Sequence, residues 1–386
     1  MNDALYILSF LAKYLNLDAF WEDIIWHVCR ENKDCFLGSM VEAQLEIYGT
    51  APYKQKRMLH RNNVRNFMQT LNLPDDRIAE QERNKKRIVI VTEQLLSIMH
   101  APTLITLEFA YILQEKMNYE VCIITCPLDY HLPFDLWVDP RYYYGGFEGV
   151  RDIPYKGVKI RNIGCSMEDG SLERCSRMLH MIAAWKPWLV LELGVTNPLA
   201  DLCREFTTTV AMAMTTECPV SEADILIRYV PGTGAYEEAC KRELLPYQKQ
   251  IFMQEKLPVI AQEAEKECVP DELGLPEGKF FVAVVGNRLD LEIDEAFLNI
   301  MKQIMDAAEN VDFAVIGDAE KLQEKLAGTS YGKRIHFLGY CMDLPGTYRA
   351  LHLYLNPRRL GGGWSSAMAL MAGLPVVTLP ACDVAY

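Results

Sequence analysis

The 386-residue chain lacks several things. No uninterrupted apolar segment reaches the roughly 18–20 residues that span a bilayer. No basic stretch precedes the apolar run after Met1-Asn2-Asp3-Ala4, so nothing there reads as a secretory signal, and a cytoplasmic protein is expected. Positive charge is in deficit: 39 Lys and Arg against 52 Asp and Glu give a formal charge of −13. That argues against nucleic-acid binding as the main role. The 12 cysteines include no Cys-x-x-Cys pair and no Cys/His cluster at zinc spacing. The closest two, Cys122 and Cys126, fall in a strand-like apolar run. Buried reduced thiols are expected, and no metal site. Internal repeats and low-complexity segments are absent.

What remains is an ordinary globular balance, 50% hydrophobic and 24% charged, at a length that suggests two or three domains. Residues 1–84 read as all-helical, with Leu5, Leu8, Leu11 and Leu15, then Phe20, Ile24, Ile25 and Val28, at helical spacing. One of these helices carries Lys54, Lys56, Arg57, His60, Arg61 and Arg65. Such a charge run is a solvated face, or a face that docks on an acidic protein partner or an anionic membrane surface.

After Arg83-Asn84-Lys85-Lys86-Arg87 the pattern changes to alternating strands and helices. Strands are expected near 88–92, 120–126, 158–163, 189–193, 207–214 and 224–229, with helices near 102–116, 172–185 and 197–205. Residues 129–149 are aromatic and proline-bearing and read as a long loop or hairpin. Residues 233–277 read as a linker, partly helical around 236–244 and ending in the turn cluster Leu273-Gly274-Leu275-Pro276-Glu277-Gly278. Alternation then restarts with strands near 280–285, 312–316, 335–338 and 353–356. The expected fold class is therefore α/β: two tandem Rossmann-like domains, 85–232 and 278–386, with an all-helical N-terminal extension over 1–84. A cleft between the two domains is expected, with ligands outside the strand C-termini. The chain ends soon after a strand at 376–379, where a doubly wound domain continues with a helix, so the last domain is expected to be C-terminally incomplete.

The chain is organised around Leu355-Asn356-Pro357-Arg358-Arg359-Leu360-Gly361-Gly362-Gly363-Trp364-Ser365-Ser366. It reads as strand, glycine loop and helix start. Glycines let the backbone turn tightly and bring N–H groups to a ligand. Ser365 and Ser366 sit where the helix should begin, as caps or as anion ligands. The uncharged run 367–372 marks a buried helix, ended by Gly373. The arrangement suits a phosphate or pyrophosphate; an ordinary βα turn is the competing reading.

Three segments carry a resemblance. They are Ser97-Ile98-Met99-His100-Ala101-Pro102-Thr103; residues 204–209 followed by Pro219-Val220-Ser221-Glu222-Ala223-Asp224; and Arg334-Ile335-His336-Phe337-Leu338-Gly339 through Ala372-Gly373-Leu374-Pro375-Val376-Val377-Thr378-Leu379-Pro380. With the tandem domains and the Gly-Leu-Pro-Glu linker, the chain over roughly 87–386 resembles a GT-B glycosyltransferase, in the group of the eukaryotic protein O-GlcNAc transferase and the bacterial adhesin N-glucosyltransferase. The resemblance implies that the C-terminal domain binds a UDP-sugar and the N-terminal domain the acceptor, with no metal or other cofactor. Gly362, Gly363, Trp364, Ser365 and Ser366 match the diphosphate-binding turn. Arg288 matches the place of a cationic or amide group after the domain's first strand, and Arg358 and Arg359 offer the same charge from the facing loop; each is alternatively a surface arginine. His100 matches a histidine that faces the cleft, where it orients a substrate or acts as general base; alternatively it is a helix-start histidine bonded to backbone. His336 and His352 read as structural.

Departures from the pattern bear on activity. Leu360 and Met368 stand where many retaining GT-B enzymes carry glutamates, and Met368 stands where the O-GlcNAc transferase group holds the ribose with an aspartate. Asp383 is the nearest acidic substitute. The resemblance thus implies a metal-independent, inverting hexosyltransferase from a UDP-sugar to a protein or glycan acceptor. The alternative is a catalytically silent GT-B subunit or chaperone that binds a glycosyltransferase or its protein substrate. A third reading is a retaining enzyme of surface polysaccharide, docked on a membrane through the basic helix.

Overall fold

The computed structural model describes residues 8, 11, 18–48, 52–74, 77–93, 95, 101–126, 149–164, 172–194, 196–215, 217–228, 234–253, 266–359, 362–379 and 384. The chain divides into two compact units, Met1–Leu257 and Pro258–Tyr386.

The first unit is built on an eight-stranded sheet: β1 (Asn84–Thr92), β2 (Glu120–Thr125), β3 (Gly149–Tyr155), β4 (Val158–Gly164), β5 (Pro187–Leu193), β6 (Thr208–Met212), β7 (Ile225–Arg228) and β8 (Lys249–Phe252). Their order is β3-β4-β2-β1-β5-β6-β7-β8. All neighbours run parallel except β3 and β4. Ile88 to Thr92 are buried without interruption, as a central parallel strand covered on both faces requires. β3 is absent from the sequence reading. Its Val150-Arg151-Asp152-Ile153-Pro154 mixes charges with a proline, and only Ile153 is buried. An edge strand tolerates that composition. Tyr155 pairs with Val158 across Lys156 and Gly157, whose φ values of +47° and +82° match the twist of a tight hairpin. β8 lies in the stretch read as linker. It is short and half polar, and it extends the sheet beyond β7.

The N-terminal helices Asp18–Glu31, Cys35–Tyr48 and Tyr53–Thr70 belong to the same unit. The third overturns the reading of its basic face as solvated or as a partner or membrane surface. Lys56, Arg57 and His60 are buried, and only Lys54 and Arg65 of the six are exposed. The acidic partner is internal. Lys56 pairs with Glu217 at 3.2 Å, Arg57 with Glu222 at 3.3 Å, and Arg61 with Glu222 at 3.1 Å. The His60 ring lies between two carboxylates, with Nδ1 2.5 Å from Glu42 Oε1 and Nε2 against Asp201 Oδ2. Asp201 also accepts from Ser221 Oγ at 2.6 Å and from the Glu222 amide at 2.8 Å. Hydropathy alone cannot tell a face that meets water from one that meets complementary charge.

The second unit holds a five-stranded, all-parallel sheet: β9 (Phe280–Gly286), β10 (Val311–Gly317), β11 (Ile335–Gly339), β12 (Leu353–Leu355) and β13 (Val376–Val377). The order β11-β10-β9-β12-β13 is that of a Rossmann-type half, in which the winding reverses between β9 and β12. Phe281 and Phe313 are fully buried, each worth roughly 1.5–3 kcal/mol in transfer from water. Helix Glu295–Ala307 packs Phe297, Leu298, Met301 and Met305 onto one face of the sheet, and Asp294 caps it by accepting from the Phe297 amide at 2.7 Å. Gly317 ends β10 with φ +113°, and a β-carbon there would strike the Gly286 carbonyl. This lets the ends of β9 and β10 meet, with the Asp318 amide donating to Gly286 O at 3.2 Å. Among the described residues no helix is long and apolar enough to cross a membrane.

Candidate functional site

The loops after β9 and β12 flank the point where the winding of the second sheet reverses. Strands of open α/β sheets leave a ligand-sized crevice there, at their C-terminal ends. After β12 come Asn356, Pro357, Arg358 and Arg359. Gly362 then takes φ +82° as N-cap of helix Gly363–Met371. The first intrahelical bond of this turn runs from the Ser366 amide to Gly362 O, 3.1 Å. The amides of Gly363, Trp364 and Ser365 are therefore the free N–H groups of a helix start. Gly362 offers them no side-chain cap. Such a terminus carries about half a positive charge and attracts anions.

The helix begins two residues earlier than the serines suggest, and this changes what they do. Neither caps it. Ser365 Oγ donates to Gly362 O at 3.0 Å, and Ser366 Oγ donates to Gly363 O at 2.9 Å. Ser366 is buried.

Beneath the turn lies Arg359, its side chain only 5% exposed. Nη1 donates to Glu292 Oε2 at 2.8 Å, Nη2 to the Tyr354 hydroxyl at 2.7 Å, and Nε to Asn356 Oδ1 at 3.0 Å. The Tyr354 hydroxyl meets Ser365 Oγ at 2.9 Å. Burial pushes the Tyr354 phenol above its ordinary pKa, so it keeps its proton to donate. The Tyr354 hydroxyl also reaches Asn356 Oδ1 at 3.3 Å, so polar contacts run without a break from Arg359 through Tyr354 to Ser365 and Gly362 O. A β-carbon on either Gly286 or Gly362 would collide with the Arg359 guanidinium. Glycine is required at both places because this side chain fills the space between the two loops.

Arg288 follows β9 and is about a third exposed. Its Nη2 lies 3.1 Å from Glu292 Oε1. The structure thus links Arg288 to Gly362 and Ser365, through Glu292, Arg359 and Tyr354. Arg358 is exposed on the loop. Met368 is buried in the apolar cluster with Leu351, Tyr354 and Leu374, so no polar group from its position faces a ligand. His352 accepts the Phe281 amide at its Nδ1, 3.1 Å, and His336 pairs with Asp312 at 3.0 Å. Both are structural, as read. His100, Leu360, Gly361 and Asp383 lie outside the described residues.

Glu292, Tyr354 and Asn356 were missed by sequence reasoning. One signal existed for Glu292: it stands four residues after Arg288, a pairing distance on a helix. Nothing in the sequence marks Tyr354 or Asn356, whose roles depend on β12 pairing with β9.

Residues 281–385 match the family of glycosyl transferases group 1. No curated relative matches the chain. Among solved structures, a mutant O-GlcNAc transferase of Thermobaculum terrenum aligns with 100% of this chain and 70% of its own, at 16% identity and a TM-score of 0.62. Anabaena HepE in complex with UDP and glucose aligns over 77% of this chain and 82% of its own, at 12% identity and a TM-score of 0.50. The chain has the GT-B fold, and most of its second unit is similar to a group 1 glycosyltransferase domain.

Proposed function

We propose that the chain is a metal-independent hexosyltransferase that moves a sugar from a UDP-sugar to a protein or glycan acceptor with inversion. The observation that carries this reading is the helix start at Gly363–Ser365, which has three free amides and the buried Arg359 beneath them. In a single displacement the acceptor's nucleophile attacks the anomeric carbon, the bond from that carbon to the diphosphate oxygen breaks, and the nucleophile gives up its proton to a base. Negative charge grows on the departing diphosphate, and the fixed amides stabilise it without reorganising. His100 is proposed as the base or as the residue that orients the acceptor, and Asp383 as the ribose ligand in place of Met368. The UDP and glucose bound by Anabaena HepE support the choice of donor class.

A second reading, a catalytically silent subunit that binds a glycosyltransferase or its protein substrate, is favoured by two observations. Glu292 neutralises part of the cationic charge around the turn, and Met368 is buried where related enzymes hold the ribose. UDP release from UDP-glucose and UDP-GlcNAc, followed with a panel of peptide and glycan acceptors, separates the two. Turnover that is lost in His100→Ala but insensitive to EDTA supports the enzyme. Donor binding without any release of UDP supports the silent subunit.

A further inference from the structure

Glu292 is a conspicuous group to find beside a turn that suits an anion. Its side chain is 9% exposed, and its two oxygens take different arginines: Oε1 lies 3.1 Å from Arg288 Nη2 and Oε2 lies 2.8 Å from Arg359 Nη1. Arg359 cannot turn to a ligand, because Asn356 and Tyr354 hold it from two further sides and the Gly362 backbone covers it. Arg288 differs. It is about a third exposed, and it meets Glu292 four residues along the same short helical segment. Two cations and one carboxylate leave one unit of positive charge among these three groups, where a diphosphate brings at least two negative charges.

We propose that Glu292 sets the anion affinity of the turn by competing for Arg288: a nucleoside diphosphate binds by drawing the Arg288 guanidinium from Glu292 Oε1 onto its phosphate oxygens. Glu292 is then a positioning residue. It keeps Arg359 under Gly362 and holds the donor site below its full affinity, so that the departing diphosphate is released again. This inference rests on the donor-site reading given above.

The test is calorimetric titration of UDP and of uridine into the full chain, its Glu292→Gln variant and the double variant Arg288→Gln/Glu292→Gln. Glutamine keeps a carbonyl oxygen for Arg359 and presents an amide to Arg288, so it removes the competitor without opening a cavity. UDP is expected to bind Glu292→Gln about three- to fivefold more tightly, the scale of one partly exposed ion pair. Uridine, which lacks phosphate, should show no difference, and the double variant should lose the gain. Should Glu292→Gln not fold, Glu292→Asp, too short to bridge both guanidiniums, is expected to move UDP affinity in the same direction. Unchanged or weaker UDP binding in a folded Glu292→Gln overturns the proposal and leaves the donor site standing. No UDP binding to any of the proteins overturns the donor site and the proposal together.

Discussion

Arg359 donates to Glu292 at 2.8 Å, and both side chains are almost wholly withdrawn from water, 5% and 9% exposed. Breaking one side of such a pair strands a charge, at a cost of about 3–5 kcal/mol. Glu292 keeps Arg288 as a second partner, so Arg359→Met is expected to fall near the lower end. Urea denaturation of the second unit reads this directly. Loss below about 1 kcal/mol would show that the network does not hold the loops together.

The two glycines at the turn should differ sharply. Gly362 has φ +82° and meets the Arg359 guanidinium where a β-carbon would stand. Gly362→Ala is expected to cost about 1–3 kcal/mol. Gly363 is helical and has open space at its β-carbon position, so Gly363→Ala should be neutral or stabilise by up to about 1 kcal/mol. Thermal melts of the pair check the contrast.

His60 makes stability depend on pH. Burial pulls its pKa down, but the charge of Glu42 and the hydrogen bonds the ring donates to Asp201 and Glu42 outweigh that and hold it well above the ordinary imidazole value. A group whose folded pKa is raised stabilises most below its unfolded pKa, about 6.5, and loses that contribution as pH rises through the folded value. Glu192, buried and held well above the ordinary carboxylic range by desolvation and then Asp201, acts in the same direction. The first unit should therefore weaken as pH rises, with the Glu192 share lost from about 4.5 upward and the His60 share from about 6.5 upward, and His60→Gln should flatten the dependence above about 6.5. Denaturation midpoints measured against pH test it; an unchanged slope in His60→Gln would assign the effect elsewhere.

The serines should matter to the fold more than to the ligand. Their hydroxyls bond carbonyls of their own turn, so Ser365→Ala and Ser366→Ala are each expected to cost about 1 kcal/mol of stability. UDP affinity should change by less than about threefold, because the helix-start amides proposed to hold the diphosphate remain. A tenfold loss of affinity in a stable variant would give the hydroxyls a direct role.

Alternation of apolar runs with amphipathic helices made both sheets legible, since periodicity reports burial. Lys249–Phe252 and Gly149–Tyr155 escaped because edge strands need not be apolar. The glycine turn at 362 was legible, because a positive φ leaves a compositional mark. The direction of the serine hydroxyls was not: a two-residue shift in helix start reverses whether they cap or back-bond. Lys56, Arg57 and His60 read as surface because a sequence shows their charge and not Glu217, Glu222 and Asp201 opposite them.

The most direct test of the donor site is calorimetric titration of UDP against uridine at low and high salt on the wild-type chain, with a thermal melt of the same sample as the control for folding. Fixed amides at the turn, with the Arg288 guanidinium beside them, predict micromolar UDP binding, at least tenfold weaker uridine binding, and a UDP affinity that falls as salt rises. Equal binding of UDP and uridine, or no heat with UDP in a cooperatively melting sample, would contradict the assignment of the Gly362 turn to a diphosphate.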